Sequence, residues 1–267
     1  MTSHQVTVSH IIAAIESHAP LNLQESWDNS GLQVGHMHDV VNGVMVTVDV
    51  TPERIDEAVE SGVNMIVSHH PLIFKGLKSL TGENRTQQAV EKAILNHVAV
   101  YSAHTSLDNA TDGLSAAFAR RLGARIIRPL IPSGPDADTG SGVLCELPGK
   151  MTATTLAEAL HVAFGVASVR HSDTSLYSHP IRRVAICTGA GGSFIENAVS
   201  NRADAYITGE IRYHDFVDFA DKIFLIECGH FETEEIAKDV LYDFITAACP
   251  SVRVIKSQKE KNPVTYI

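Results

Sequence analysis

The stretch that most constrains this chain is Val63-Asn64-Met65-Ile66-Val67-Ser68-His69-His70-Pro71. Its apolar run reads as a buried strand, and the proline stops any continuation. Two adjacent imidazoles therefore stand at the carboxyl end of a strand, where open α/β sheets place their ligands. Two further stretches end in the same way. Val98 to Ser102 leads to His104 and Asp108, and Ile223 to Ile226 leads to His230 and Glu234. Three strand ends delivering imidazoles and carboxylates point to a metal site.

The spacing of the remaining apolar residues predicts an α/β (α+β) chain. Ser9 is placed to cap a first helix carrying Ile11, Ile12 and Ile15. Val44 to Val48 reads as a strand, and Thr51-Pro52-Glu53 opens a helix that Gly62 ends. With the His69-His70 strand this makes a βαβ unit, so its two strands should be parallel. Helical stripes follow over about 86–96 and 114–122, with the Tyr101 strand between them. Pro132 to Gly142 breaks the composition and reads as a loop or domain junction. Beyond it come a strand over 143–147, a helix over about 154–164 and a strand near 166–170. Strands over 184–187 and 205–208 flank a helix near 195–199. A long helix from Glu234 to about Ala248 closes the pattern. The predicted division is 1–128 plus 223–267 as a metal-binding domain, with 129–222 as a second α/β domain.

Two histidines, an aspartate, a third histidine and a glutamate form a mixed nitrogen and oxygen donor set. That set suits zinc, manganese, iron, cobalt or nickel better than calcium or magnesium. A single catalytic metal rarely takes five protein ligands, because water must also bind. Two ions about 3.5–4 Å apart can share a carboxylate and activate one water between them. The predicted ligands are thus His69, His70, Asp108, His230 and Glu234, with Asp108 and Glu234 as bridging candidates. His104 is better suited to orienting a ligand or moving a proton. Glu234 alone could instead complement a helix dipole, and His104 with Asp108 alone could be turn residues.

Two other stretches leave alternatives open. Trp27-Asp28-Asn29-Ser30-Gly31 is strong turn chemistry, either lining a site or setting a packed tryptophan beside a turn. Gly189-Ala190-Gly191-Gly192-Ser193 could cradle a phosphate or ring with its backbone N–H groups. Equally, it could be a tight turn that needs small residues.

Composition excludes some partners. Acidic residues exceed basic ones by 31 to 21, a net charge of −10, which argues against nucleic acid as the main partner. No apolar run approaches the ~18 residues of a membrane span, and the first residues lack a secretory pattern. The four cysteines form no C-x-x-C and read as buried free thiols of a reducing compartment, so a cytoplasmic protein is expected. Of the fourteen histidines, His4, His10, His18, His36 and His38 are expected to be exposed and idle.

The runs Trp27-Asp28-Asn29-Ser30-Gly31-Leu32, Ser68-His69-His70-Pro71-Leu72 and His104-Thr105-Ser106-Leu107-Asp108 resemble the GTP cyclohydrolase I type 2 homologs, also called NIF-three-like proteins. Gly189 to Ser193, Thr208-Gly209-Glu210 and Gly229-His230 with Glu234 fit the same pattern. The resemblance implies two interlinked α/β domains and two divalent metal ions per subunit, held by the five residues already named. It further implies a homohexamer with the metals facing an internal cavity. The segment between Arg170 and Val184 is too short for the extra domain some members insert, so this is the compact form. Where the family often carries paired histidines, this chain has Tyr213-His214, which leaves His214 as a proton donor. The implied chemistry is attack of metal-activated water on a nucleotide or similar small polar substrate, at C8 of a guanine ring with formate release. Phosphoester hydrolysis at the same site, or a metal-holding scaffold that binds partners without catalysis, are the alternatives.

Overall fold

The computed structural model describes residues 5–134, 137–166 and 168–266. Among them eleven strands occur in chain order. They are β1 Gly31–Val34, β2 Gly43–Thr47, β3 Met65–Ser68, β4 Ala99–Ser102, β5 Arg125–Pro132, β6 Gly140–Met151, β7 Arg170–His171, β8 Ile181–Cys187, β9 Ala205–Thr208, β10 Phe224–Glu227 and β11 Arg253–Lys256. The chain divides into two compact units, Met1–Ala110 with Ala237–Lys261, and Thr111–Ile236 with Asn262–Ile267. Each unit is built from separate lengths of chain, so the two are interlinked by covalent connection.

The first unit holds a five-stranded sheet in the order β1-β4-β3-β2-β11. Its inner strands are parallel, with Val44 opposite Met65, Met65 opposite Ala99 and Val44 opposite Val254, while β1 runs antiparallel to β4. Every residue of β2, β3 and β4 is buried. Their near-continuous apolar character is what a parallel sheet covered on both faces requires. The helix Pro52–Glu60 joins β2 to β3 and starts as the sequence predicts, with Thr51 as cap, Pro52 in the first turn and Glu53 beside it. Its Ile55 and Ala58 pack with Met45, Ile66, Val100 and with Ala89, Val90 and Ala93 of the helix Arg85–Leu95. Arg54 and Glu57 of Pro52–Glu60 join a buried polar knot. Glu57 accepts from Ser257 Oγ at 2.7 Å and Gln258 N at 2.7 Å, and lies 3.1 Å from Arg54.

The second unit holds a six-stranded sheet in the order β5-β6-β8-β9-β10-β7, with β8, β9 and β10 parallel and the others antiparallel. Alternation along the three parallel strands sorts the core into two clusters. Val184, Ile186, Ala205, Ile207, Phe224 and Ile226 face one cluster, and Ala185, Cys187, Tyr206 and Leu225 face the other. Leu156 and Leu160 of the helix Ala153–Phe164 cover the first face, and Ile195 and Ala198 of Ile195–Ser200 cover the second.

Several sequence expectations shift. β5 and β6 pair as an antiparallel hairpin from Arg125↔Glu146 to Pro132↔Gly140. The break at Pro132 to Gly142 is therefore a hairpin connection inside one sheet rather than a domain junction; Pro135 and Asp136 within it lie outside the described residues, as does His4. The strand leading to His230 and Glu234, β10, pairs with β9 and β7, so it belongs to the second unit rather than to the first. The boundaries accordingly fall after Ala110 and Ile236, not after 128 and 222. The long closing helix is two pieces, His230–Glu234 and Ala237–Ala248. Thr7, not Ser9, occupies the cap position of the helix Val8–Glu16. The strand expected near 166–170 contracts to the pair Arg170–His171, with residue 167 outside the described residues. All four cysteines are buried and outside any disulfide, and burial pushes the thiols of Cys145 and Cys228 up to about 12. Among the described residues no helix is long and apolar enough to cross a membrane.

Candidate metal centre

In the first unit, the ladder of β3 carries on past its end. His69 N donates to Thr47 O at 3.2 Å and His70 N to Val48 O at 2.9 Å. Beyond that the backbone turns, and Ser68 Oγ holds the turn by donating to His70 O at 2.8 Å. Adjacent residues of a regular strand face opposite ways, yet here the two rings lie 5.0 Å apart at 38°. His104 follows β4 and caps the single turn Thr105–Asp108. Its ring lies 5.3 Å from that of His69 and 5.5 Å from that of His70. One ring nitrogen from each of the three histidines falls within 4.8 Å of the others. Asp108 closes the same turn, with Oδ1 3.8 Å from His69 Nε2.

Each of these rings is oriented through Nδ1. His69 Nδ1 lies 2.9 Å from Ala103 O, His70 Nδ1 2.9 Å from Asp49 Oδ1, and His104 Nδ1 2.7 Å from Asp28 Oδ1. A carbonyl or ionised carboxylate can only accept, so Nδ1 carries the hydrogen in all three. The neutral ring then presents Nε2 as a lone pair, which is the form a metal ion takes up. Asp28 is especially fixed in this role. Its carboxylate is fully buried and also accepts from Thr105 N, Thr105 Oγ1, Asn29 N and Ser30 Oγ. Burial alone would raise its pKa, but the bonds from His104 and Thr105 outweigh this and hold it far below the ordinary carboxylate range.

The second unit repeats the device. His230 and Glu234 are four residues apart on the short helix that follows β10, so they share a face. His230 Nδ1 lies 2.7 Å from Glu210 Oε1, and His230 Nε2 lies 2.9 Å from Glu234 Oε2. With Nδ1 donating to Glu210, both atoms of the second contact are acceptors. A positive charge, proton or metal, has to stand beside them. An imidazole nitrogen and a carboxylate oxygen brought together in this way are donor types that would hold a metal ion. Gly189 makes room for the carboxylate. Its φ is +68°, and a Cβ there would meet Glu234 Oε1 at 2.0 Å. Gly189 N also donates to Thr233 Oγ1 at 3.0 Å. The glycine-rich loop is thus a tight turn packed on Glu234. It also lines a cavity of about 470 Å³ with Arg170, Glu210 and Arg212.

The structure brings His69, His70, His104 and Asp108 together in one unit and His230 and Glu234 together in the other. His104, expected to orient a ligand or move a proton, shares the imidazole cluster. His214 is exposed on the helix Tyr213–Phe219 with its ring against Tyr213. From that stretch it is Glu210 that bonds His230. Asp28, Asp49, Glu210 and the Ala103 carbonyl went unnoticed in the sequence as orienting groups. Asp49, one residue past Val48 at a parallel strand end, carried a detectable signal; a backbone carbonyl carries none.

The family model for Duf34/NIF3 (NGG1p interacting factor 3) matches residues 6–263. A "GTP cyclohydrolase 1 type 2 homolog" of Clostridium acetobutylicum is 34% identical over 85% of this chain and 85% of its own. A "Protein NIF3 homolog" of Schizosaccharomyces pombe is 32% identical over 96% of this chain and 97% of its own. Among solved structures, a Staphylococcus aureus hypothetical protein superposes with a TM-score of 0.90 at 27% identity, covering 99% of this chain and all of that one. A Bacillus cereus protein related to NIF3 gives the same TM-score at 23% identity, with the same coverage, and speaks for the fold alone.

Proposed function

The chain belongs to the Duf34/NIF3 family, and from that premise and the donor geometry we propose that it is a metal-dependent hydrolase acting on a nucleotide or similar small polar substrate. The observation that carries the reading is the shared orientation of four imidazoles. His69, His70, His104 and His230 each have Nδ1 at an oxygen acceptor, which leaves Nε2 as a lone pair, for metal in His69, His70 and His230 and for a proton in His104. His69, His70 and Asp108 would hold metal from the first unit, and His230 and Glu234 from the second. The expected complement would be two divalent ions per chain, of the zinc, manganese, iron, cobalt or nickel type. When bound, such ions supply Lewis acidity and an activated water at neutral pH.

The chain's own residues do the rest. Asp49, Asp28 and Glu210 fix ring tautomers. His104 is assigned the proton-transfer role, since Asp28 fixes its ring through Nδ1 and leaves Nε2 to exchange a proton. Its closeness to His69 and His70 makes a third ligand the specific alternative. His214, exposed on its helix, is a second proton-transfer candidate. His104→Gln that keeps its metals but loses turnover by ~10²–10⁴-fold supports the assignment; loss of metal makes His104 a ligand. The curated relative named after GTP cyclohydrolase 1 type 2 supports a purine nucleotide as substrate. The same donors also suit phosphoester hydrolysis. Protein loaded with manganese, zinc or iron and given a nucleotide panel separates the readings. Formate release marks ring opening, phosphate release marks phosphoester cleavage, and no turnover on any member leaves a metal-holding scaffold. The proposed assembly is a homohexamer, a cytoplasmic one, and light scattering showing only monomer at micromolar concentration would contradict it.

A further inference from the structure

We infer that Trp27 and Phe74 form a stacking platform for a flat heteroaromatic ring beside the His69–His70–His104 cluster. The inference rests on the hydrolase reading and names the part of the substrate that this chain grips.

Both side chains are large, apolar and exposed, Trp27 by 59% and Phe74 by 46%. Full burial of an apolar ring stabilises a fold by about 1.5–3 kcal/mol, and two rings left half in water forgo part of that. They do not point apart. Their ring centroids are 6.0 Å from each other, and each lies 6.1 Å from the His104 ring. His104 meets the two rings at 74° and 81°, edge to face, so the two exposed rings flank a predicted site residue.

The exposure is not a consequence of slack loops. The residue after Trp27 is Asp28, whose carboxylate is buried and fully bonded. Asn29 Nδ2 donates to Ile73 O at 2.6 Å, and Ile73 N donates to Gln33 Oε1 at 2.7 Å. Gln33 Nε2 in turn donates to Asn29 O at 2.7 Å. These bonds tie the loop bearing Trp27 to the loop bearing Phe74, immediately beside each aromatic. A pair of rings held in place before a ligand arrives loses little freedom on binding. An indole face takes up any flat π-system, and base–aromatic stacking tolerates different bases.

The chain has one tryptophan, so indole emission reports on Trp27 alone. Protein, metal-free and metal-loaded, is titrated with GMP, AMP, CMP and nicotinamide mononucleotide, and with ribose 5-phosphate as the ring-free control. Excitation is at the red edge of the indole band, away from base absorption. Saturable quenching by at least one aromatic mononucleotide, and none by ribose 5-phosphate, is expected. Phe74→Leu, which keeps the reporter, should weaken that affinity about 5- to 150-fold. Trp27→Leu, followed by calorimetry, should do the same. Both residues are exposed, so far-ultraviolet circular dichroism should be unchanged. Quenching in a protein that takes up no metal keeps the platform and removes the hydrolase reading. Metal uptake with no quenching by any of the four removes the platform and leaves that reading standing. Equal quenching by ribose 5-phosphate, or affinity unchanged in both variants, also overturns the platform.

Discussion

Replacing Asp49 by alanine should separate metal affinity from folding stability. The Asp49 carboxylate is about half exposed and meets His70 Nδ1 at 2.9 Å. An exposed pair of this kind contributes about 0–1 kcal/mol to folding. The Asp49 backbone does not depend on its side chain, because Glu260 accepts from Asp49 N at 2.8 Å and from Thr47 Oγ1 at 2.8 Å. The loop should therefore keep its course in Asp49→Ala. His70 loses the acceptor that fixes its tautomer and the direction of Nε2. Losing such an orienting carboxylate typically costs ~10–100-fold in metal affinity, or about 1.4–2.7 kcal/mol. The assay is a competition titration against a chromophoric chelator, paired with urea unfolding of the metal-free protein. Affinity should fall by at least about tenfold while the unfolding free energy changes by less than about 1 kcal/mol. Unchanged affinity would refute the orienting role. A loss of stability above about 2 kcal/mol would show that Asp49 is structural instead.

Two further outcomes are expected. Glu57→Gln should destabilise the metal-free protein by about 2–4 kcal/mol in urea, since it leaves Arg54 without its buried partner. Burial raises the Glu57 pKa, but bonds from Ser257, Gln258 and Lys259 and the nearby Arg54 outweigh it and leave it lowered. The charged form therefore adds stability above the unfolded-state pKa near 4.5 that is lost as pH falls through the lower folded value, and Glu57→Gln should flatten that part of the stability–pH curve. Gly189→Ala, at φ +68° with its new carbon on Glu234 Oε1, should lower both stability, by about 1–2 kcal/mol, and metal content by elemental analysis; an unaltered metal content would mean that the turn yields without moving Glu234.

Much of this was legible in the sequence because burial writes a strong pattern. β2, β3 and β4 are buried at every position, and Thr51-Pro52-Glu53 is a local start signal that tertiary contacts do not override. The sheet to which a strand belongs is a different matter. Phe224 to Glu227 pairs with Ala205 to Thr208, a choice made by long-range partners that periodicity does not encode. The polar break at Pro132 to Gly142 looks like a linker, yet the strands on either side pair across it. At the site, the residue types that bind metals stand out in sequence, whereas Asp28, 76 residues from His104, and Glu210, 20 residues from His230, become orienting groups only through folding.

If these imidazoles and carboxylates hold metal, elemental analysis of the purified protein should find up to two transition-type divalent ions per chain. That content should be lowered in His70→Ala and in Asp108→Ala, and the ions should be released as pH falls, because protonated imidazoles and carboxylates cannot coordinate. A metal content that is negligible after loading, or identical in wild type and both variants, would contradict that reading.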